Sequence, residues 1–352
     1  MVLLALCICM QGCSLIDDDL SVCGRDIQME LQMQLVTNLD LELETVLTAE
    51  TDVTTKQVLY DHFSHIFTDH AHDIHIFFYN LTNDDVSYSI HEVIDANQST
   101  YTFFLPKDDY EAIALANLYD NGIVMLEDTA HSTDIRLSTP APDTLLTQNT
   151  GVFAVEKQLE VLDSIDQKFE LTLHMTNSAL AIVIDTANVT VTGIRAYMTN
   201  TAHALLLRDS LYFHNKPKTV VLEEIASSRP SPKREEVNSP QRPNMYNPVS
   251  SPMQVESDTV SHAFLLGGVG FPSPDTPDAD GTYYQAKLYV TLADGTTTET
   301  VLSIREPLHA GMLKVIKAEL QGDGEVVPVS APEVGVSVTL DWKDGGEHNI
   351  EI

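Results

Sequence analysis

From Ile27 the chain alternates: Ile27, Met29, Leu31, Met33 and Leu35 are apolar, and Gln28, Glu30, Gln32 and Gln34 between them are polar. A period of two sends successive side chains to opposite faces, so this stretch is expected to form a β-strand with one buried and one wet face. Residues 37–57 are acidic and Thr-rich, with Leu39, Leu41, Leu43 and Val46 spaced for a second strand or a loop. A short helix is expected over 58–67 and a strongly apolar strand over 75–79. The turn residues Asn83, Asp84 and Asp85 then precede another alternating run, 86–93. Further apolar segments, 101–105, 111–118 and 122–126, are separated by Pro106, Asn121 and Gly122.

Residues 138–151 are rich in Thr and Pro and carry no periodicity, after which 152–162 reads as a strand. Asp163-Ser164-Ile165-Asp166 is the expected domain joint, because a second series of short strands begins beyond it at 169–175, 179–185 and 189–198. Later strands are expected at 288–292, 297–302, 315–319 and 334–342. The Asp294-Gly295 pair between the first two of these is a strong hairpin signal. Residues 227–258 hold six prolines and no core-forming pattern, which reads as a disordered loop, and 271–281 reads as a second Pro-rich loop. Many short strands with regular turn chemistry predict an all-β fold of two tandem β-sandwich domains with minor helix. The expected division is 27–163 for the N-terminal sandwich and 164–352 for the C-terminal one.

Ahead of the first strand the pattern changes. Val2 to Met10 is uncharged and apolar, and it leads through Gln11-Gly12 to Cys13 and then to Asp17-Asp18-Asp19. A short hydrophobic region ending at a small residue and a cysteine reads as the signal of a bacterial lipoprotein: residues 1–12 removed, Cys13 acylated, 13–26 a lipidated linker. The run is far shorter than the ~20 residues needed to cross a bilayer. No Lys or Arg precedes Arg25, so the true start is expected to lie upstream of Met1. A plain cleaved signal peptide or an apolar first strand is the alternative.

Composition narrows the partners. Across 352 residues, 19 Lys and Arg face 52 Asp and Glu, for a formal charge of -33. Such a surface repels phosphate backbones, whose binding needs basic residues to displace counterions, so nucleic acid is not an expected partner. Of the four cysteines, Cys7 and Cys9 fall in the signal and Cys13 would carry lipid. Cys23 is then left over, and no disulfide framework is expected; without lipidation a Cys13–Cys23 bridge is open.

The densest chemistry is a histidine cluster: His62, His65, His70, His72 and His75, with Asp61, Asp69 and Asp73 among them. Imidazoles and carboxylates are first-row metal ligands, which makes His70, His72 and His75 candidates. On a strand, however, His70 and His72 share one face and His75 takes the other, and no HExxH or paired-cysteine motif closes a site. The expectation is therefore polar packing, with no metal and no cofactor. Gly267-Gly268-Val269-Gly270 lacks the Lys-Ser/Thr of a phosphate loop, and no Gly-x-Ser-x-Gly elbow occurs, so no catalytic residue and no enzyme is expected. Trp342, the one indole that could stack a sugar, sits in an alternating strand and reads as core or rim packing.

Taken together, these residues resemble a known family. Cys13-Ser-Leu-Ile-Asp-Asp-Asp-Leu-Ser-Val-Cys23-Gly24 is similar to the start of the FimB-type fimbrillin-A-associated anchor and accessory lipoproteins of Gram-negative anaerobes. Further similarity lies in Ile74-His-Ile-Phe-Phe-Tyr79, Tyr110-Glu-Ala-Ile-Ala-Leu-Ala-Asn117, Asp294-Gly-Thr-Thr-Thr-Glu-Thr-Val-Leu302, Pro307-Leu-His-Ala-Gly311 and Val334-Gly-Val-Ser-Val-Thr-Leu-Asp-Trp342. The resemblance implies two transthyretin-like domains, lipid attachment at Cys13, and Asp17, Asp18 and Asp19 as the export signal. It further implies a place in the outer membrane at the base of a fimbrium. There the protein would anchor the pilus and limit its length through β-strand contact with fimbrillin and other fimbrial accessory subunits. The Pro-rich insertion and the dense histidines depart from the family pattern. A fimbrial tip or accessory subunit, and a surface glycan-binding lipoprotein, are the alternative functions.

Overall fold

The computed structural model describes residues 26–36, 53–68, 71–83, 85–93, 100–162, 167–186, 189–225, 263–329, 334–340 and 349–351. In the first half of the chain these form β1 (Asp26–Val36), α1 (Val53–Phe63), β2 (Asp73–Asn80), β3 (Ser87–Val93), β4 (Thr100–Pro106), β5 (Asp109–Ala116), α2 (Leu118–Asn121), β6 (Met125–Glu127), β7 (Arg136–Ser138), β8 (Thr144–Leu145), β9 (Phe153–Glu160) and β10 (Gln167–Met175). The second half adds β11 (Ser178–Asp185), β12 (Val191–Thr201), β13 (Ala204–Leu206), β14 (Leu211–Phe213), β15 (Lys218–Glu224), β16 (Ala263–Gly270), β17 (Tyr284–Leu292), β18 (Thr297–Ile304), β19 (Leu313–Leu320), β20 (Val326–Pro328), β21 (Val334–Leu340) and β22 (Asn349–Glu351). The protein is all-β with minor helix, as its alternating pattern requires.

The first sheet runs β3-β2-β5-β9-β10-β1-β4. Its rungs thin out at one place, where β9 and β10 pair at Ala154–His174 and Phe153–Met175. The sheet turns a corner there and folds over on itself. Phe78 of β2 and Phe103 of β4, far apart in the strand order, bring their ring centroids to 4.9 Å. Between the arms lie the apolar halves of the alternating strands, including Met29, Leu31, Tyr110 and Leu171.

The second sheet repeats this plan in the order β20-β19-β11-β16-β15-β12-β17-β18-β21-β22, with β8 attached to β15. Its corner is β15–β16, paired at Glu223–Gly267 and Glu224–Leu266. Leu180, Ile182 and Ile184 of β11 face Leu288, Val290 and Leu302 of the other arm across a second core. The expected hairpin forms at Asp294-Gly295: Gly295 adopts a φ of 85°, the Leu292 amide donates to Thr296 O at 2.9 Å, and the Thr296 amide donates to Asp294 Oδ1 at 2.8 Å.

The two bodies are packed together. Both faces of β11 are buried, and its other face, Ala179, Ala181 and Val183, belongs to the same apolar cluster as the first sandwich. Leu59 and Phe63 of α1, followed by Ile66 and Phe67, complete that cluster. The helix starts and ends earlier than the expected 58–67, whose last residues form a turn. A small third sheet, β14-β13-β7-β6, takes two strands from each half of the chain and covers the outer face of the first sheet around Phe77, Ile113 and Leu115.

The joint expected at 163–166 lies outside the described residues. Just beyond it, β10 runs parallel to β1, Met29–Val36 against Gln167–His174, so it completes the first sheet. The chain then enters the second sheet through Thr176 and Asn177, both buried. The loop expected at 227–258 and Trp342 also lie outside the described residues. The run at 271–281 is a loop, closed by the Asp278 carboxylate accepting the Asp280 and Thr282 amides.

Candidate functional site

Cys13, Asp17, Asp18, Asp19 and His70 lie outside the described residues, so the proposed lipid site has no geometry to report. What the structure places is the strand they lead into. β1 is an interior strand, parallel to β10 on one side and antiparallel to β4 on the other, with Asp26 opposite Pro106. The tether would therefore join the body at a strand held along both edges.

Among the described strands the first sheet ends in β3 and β4, each with one hydrogen-bonding edge unpaired. β3 is exposed on both faces except at Ile90, and Phe104 of β4 is 59% exposed. Edges of this kind can accept an extended segment of another chain through main-chain hydrogen bonds.

The remaining histidine candidates separate. His72 is exposed, with Nδ1 4.0 Å from Asp120 Oδ2. His75 stacks on Phe77 at 4.2 Å between centroids and lies 5.3 Å from the His91 ring, which itself packs on Tyr119 at 4.4 Å. Burial, reinforced by His91, holds the His75 imidazole down to about 4. This is ring packing along β2 and β3. Among the described residues no group of three or more His, Cys, Asp or Glu is placed to hold a metal ion.

Asp73 opens β2 with a buried carboxyl, raised by that burial and partly offset by the Tyr119 and Leu118 amides of α2. Asn117, in the left-handed region at φ 62°, clips this junction: its amide donates to Asp73 O, and its Oδ1 accepts the His72 amide at 2.6 Å.

Sequence reasoning missed a polar pocket of about 210 Å³ between the first sheet and the loops of the small third sheet, lined by Tyr79, Glu111, Ser132, Thr133 and Arg208 among others. Glu111 is 3% exposed and receives Arg208 Nε at 3.0 Å, while its Oε2 is buried without a hydrogen-bond partner. Tyr79 donates to Thr129 O at 2.8 Å. Burial and the neighbouring Glu111 carboxylate push the Tyr79 hydroxyl strongly up. Glu111 is a lone acid in an apolar strand run, the one local sign in the sequence that a cation must reach it from elsewhere.

No protein-family model matches the chain, and no curated sequence does. Solved structures do resemble it. A protein from Bacteroides ovatus described as a "putative adhesin" superposes with a TM-score of 0.50 at 9% identity, covering 92% of this chain and 99% of that one. Another so described, from Bacteroides thetaiotaomicron, gives 0.50 at 10% identity over 89% and 96%. The fimbrial anchor protein Mfa2 of Porphyromonas gingivalis gives 0.46 at 8% identity over 93% and 100%. At such identities the first two establish a shared fold that runs nearly end to end.

Proposed function

We propose that this chain is an accessory subunit of a surface fimbrium, held to the outer membrane by lipid on Cys13. On this reading Asp17, Asp18 and Asp19 give the export address. The body anchors the filament and limits its length through strand-mediated contact with fimbrillin subunits. The observation that carries the reading is the Gly12-Cys13 junction between an apolar run and a triple aspartate, leading directly into β1. Two or three acyl chains hold a protein on a membrane where one alone is marginal. A load entering at Asp26 must shear the rungs to β10 and β4 together, since pull along a strand lies across its hydrogen bonds. The unpaired edges of β3 and β4 suit a partner strand. The likeness of fold to proteins described as adhesins agrees with a role on the cell surface.

The test is Cys13→Ala in the native host. Protein and filaments should both appear in the medium; filaments that stay cell-bound at unchanged length would overturn the proposal.

A further inference from the structure

β12 and β17 lie side by side within one arm of the second sandwich, and their alternate residues Ala196, Met198, Ala286, Leu288 and Val290 are buried in its core. The residues between them must then face outward. The register places Arg195 opposite Tyr289 and Tyr197 opposite Lys287, a checkerboard of two cations and two phenols. Cross-strand diagonals of this kind are about 7–8 Å apart, so Arg195 and Lys287 share a small area with nothing anionic between them.

Their surroundings are specific. The Arg195 guanidinium lies over the Tyr289 ring, 5.8 Å from its centroid, and the Tyr197 and Tyr289 rings meet edge to face at 6.0 Å. The near carboxylate, Glu299 on β18, accepts the Tyr289 hydroxyl at 3.1 Å. Among the described residues neither Arg195 nor Lys287 forms an ion pair. β8 pairs in parallel with β15, Thr144 beside Thr219, and borders an open groove of about 460 Å³ rimmed by Thr144, Thr199 and Thr219. In a chain with 19 basic and 52 acidic residues, this groove is lined by two cations and, among the described residues, no acid, with Glu299 on the next strand diagonal to Lys287.

From this checkerboard of Arg195, Tyr197, Lys287 and Tyr289 we infer a binding site for a carboxylated carbohydrate, independent of the anchor reading. The guanidinium and ammonium meet the carboxylate of a sugar acid, Arg195 with the fork geometry that carboxylates accept. The Tyr197 ring offers an apolar surface to a sugar ring, and the three threonines offer hydroxyls. A polypeptide partner is less well served, because the groove has no apolar pocket to bury an anchor side chain and the sheet offers only its face. A nucleic acid brings a long array of phosphates to an overall charge of -33, whereas a short sugar-acid oligomer brings only a few charges to two cations.

The experiment is calorimetric titration of the purified full chain in detergent with oligogalacturonate, hyaluronan oligosaccharide, alginate oligosaccharide and sialyllactose. Methyl-esterified oligogalacturonate, neutral galacto-oligosaccharide and polyglutamate serve as contrasts. At least one acidic sugar should bind, its esterified or neutral counterpart at least tenfold more weakly. Arg195→Gln and Lys287→Gln should each weaken it at least tenfold with the melting temperature unchanged. Tyr197→Ala should lose binding that Tyr197→Phe retains. The inference is overturned if none of the four acidic sugars binds, if both Gln variants bind within twofold of the native chain, or if polyglutamate binds as tightly and with the same dependence on Arg195 and Lys287.

Discussion

Phe63 of α1 lies so close to Gly267 of β16 that a methyl group on Gly267 would sit 3.0 Å from Phe63 Cζ and 2.7 Å from Ile225 Cδ1. The absence of a side chain at Gly267 is what lets the helix of the first body seat on a strand of the second. Gly268 and Gly270 serve the opposite face, where added carbons would strike Leu222 and Val220.

Gly267→Val should therefore destabilise the whole chain. Overpacking a filled site costs about 1–3 kcal/mol, and the cost falls on the contact between the bodies. Chemical denaturation should show a lower midpoint, and single-step unfolding should give way to two steps.

The Glu111–Arg208 pair makes a second test. Arg208→Ala strips the partner from a carboxylate that is 3% exposed. Leaving a buried polar group unsatisfied costs about 1–3 kcal/mol, at the lower end here because Arg208 itself is 39% exposed. Adding Glu111→Gln to Arg208→Ala should recover part of the loss, since the amide removes the stranded charge; a double variant less stable than the single one would contradict this. Denaturant midpoints decide it.

Gln148 joins elements that are distant in sequence. Its Oε1 accepts Asn121 Nδ2 at 3.0 Å and also Asn177 Nδ2, while its backbone amide donates to Val269 O of β16. Gln148→Leu should strand the Asn177 side-chain NH2 at the point where the chain crosses between bodies, while Asn121 Nδ2 keeps Thr150 O at 2.6 Å, with a loss of about 1–3 kcal/mol. Hydrogen exchange should speed up at Val152 and Thr176, whose amides bond to Asn177 Oδ1 and Val152 O.

His75 sets a pH dependence. Its imidazole is held down to about 4, against an ordinary value near 6.5, so the unfolded chain takes up the proton first. The stability contributed by neutral His75 is full above about pH 6.5 and is lost as pH falls toward about 4. Burial moves His62, His203 and His214 in the same direction. Asp73, raised by burial, acts oppositely: its contribution is present at low pH and is lost as pH rises past the usual carboxylate range. His75→Phe keeps the stack on Phe77 without the titrating group. Its denaturation midpoint should fall less steeply between pH 6.5 and 4 than that of the native chain.

Several elements could be read from local pattern alone. β1 and β10 carry their burial in strict or near alternation, β2 is buried on both faces as its continuous apolar run implies, and Asp294-Gly295 has the chemistry of the turn it makes. β15 and β16 were not legible. β16 reads Ala263-Phe-Leu-Leu-Gly-Gly-Val-Gly270, where glycines suggest a loop; it is a strand because the layers on both sides come too close for side chains. The Glu111–Arg208 pair and the Arg195–Lys287 groove were hidden for a related reason. Each unites residues from strands or loops whose proximity depends on register and crossing.

The sequence by itself determined the class of fold, because alternation commits a segment to a strand with one buried face, and it determined the acidity of the surface and the Cys13 junction. Only the tertiary structure decided how the strands are shared. Hydrogen bonding drew β10 to β1 and joined β7 to β13 across the two halves of the chain. Local pattern says which face of a strand is buried, but which other strand buries it is settled by contacts between residues far apart in the chain.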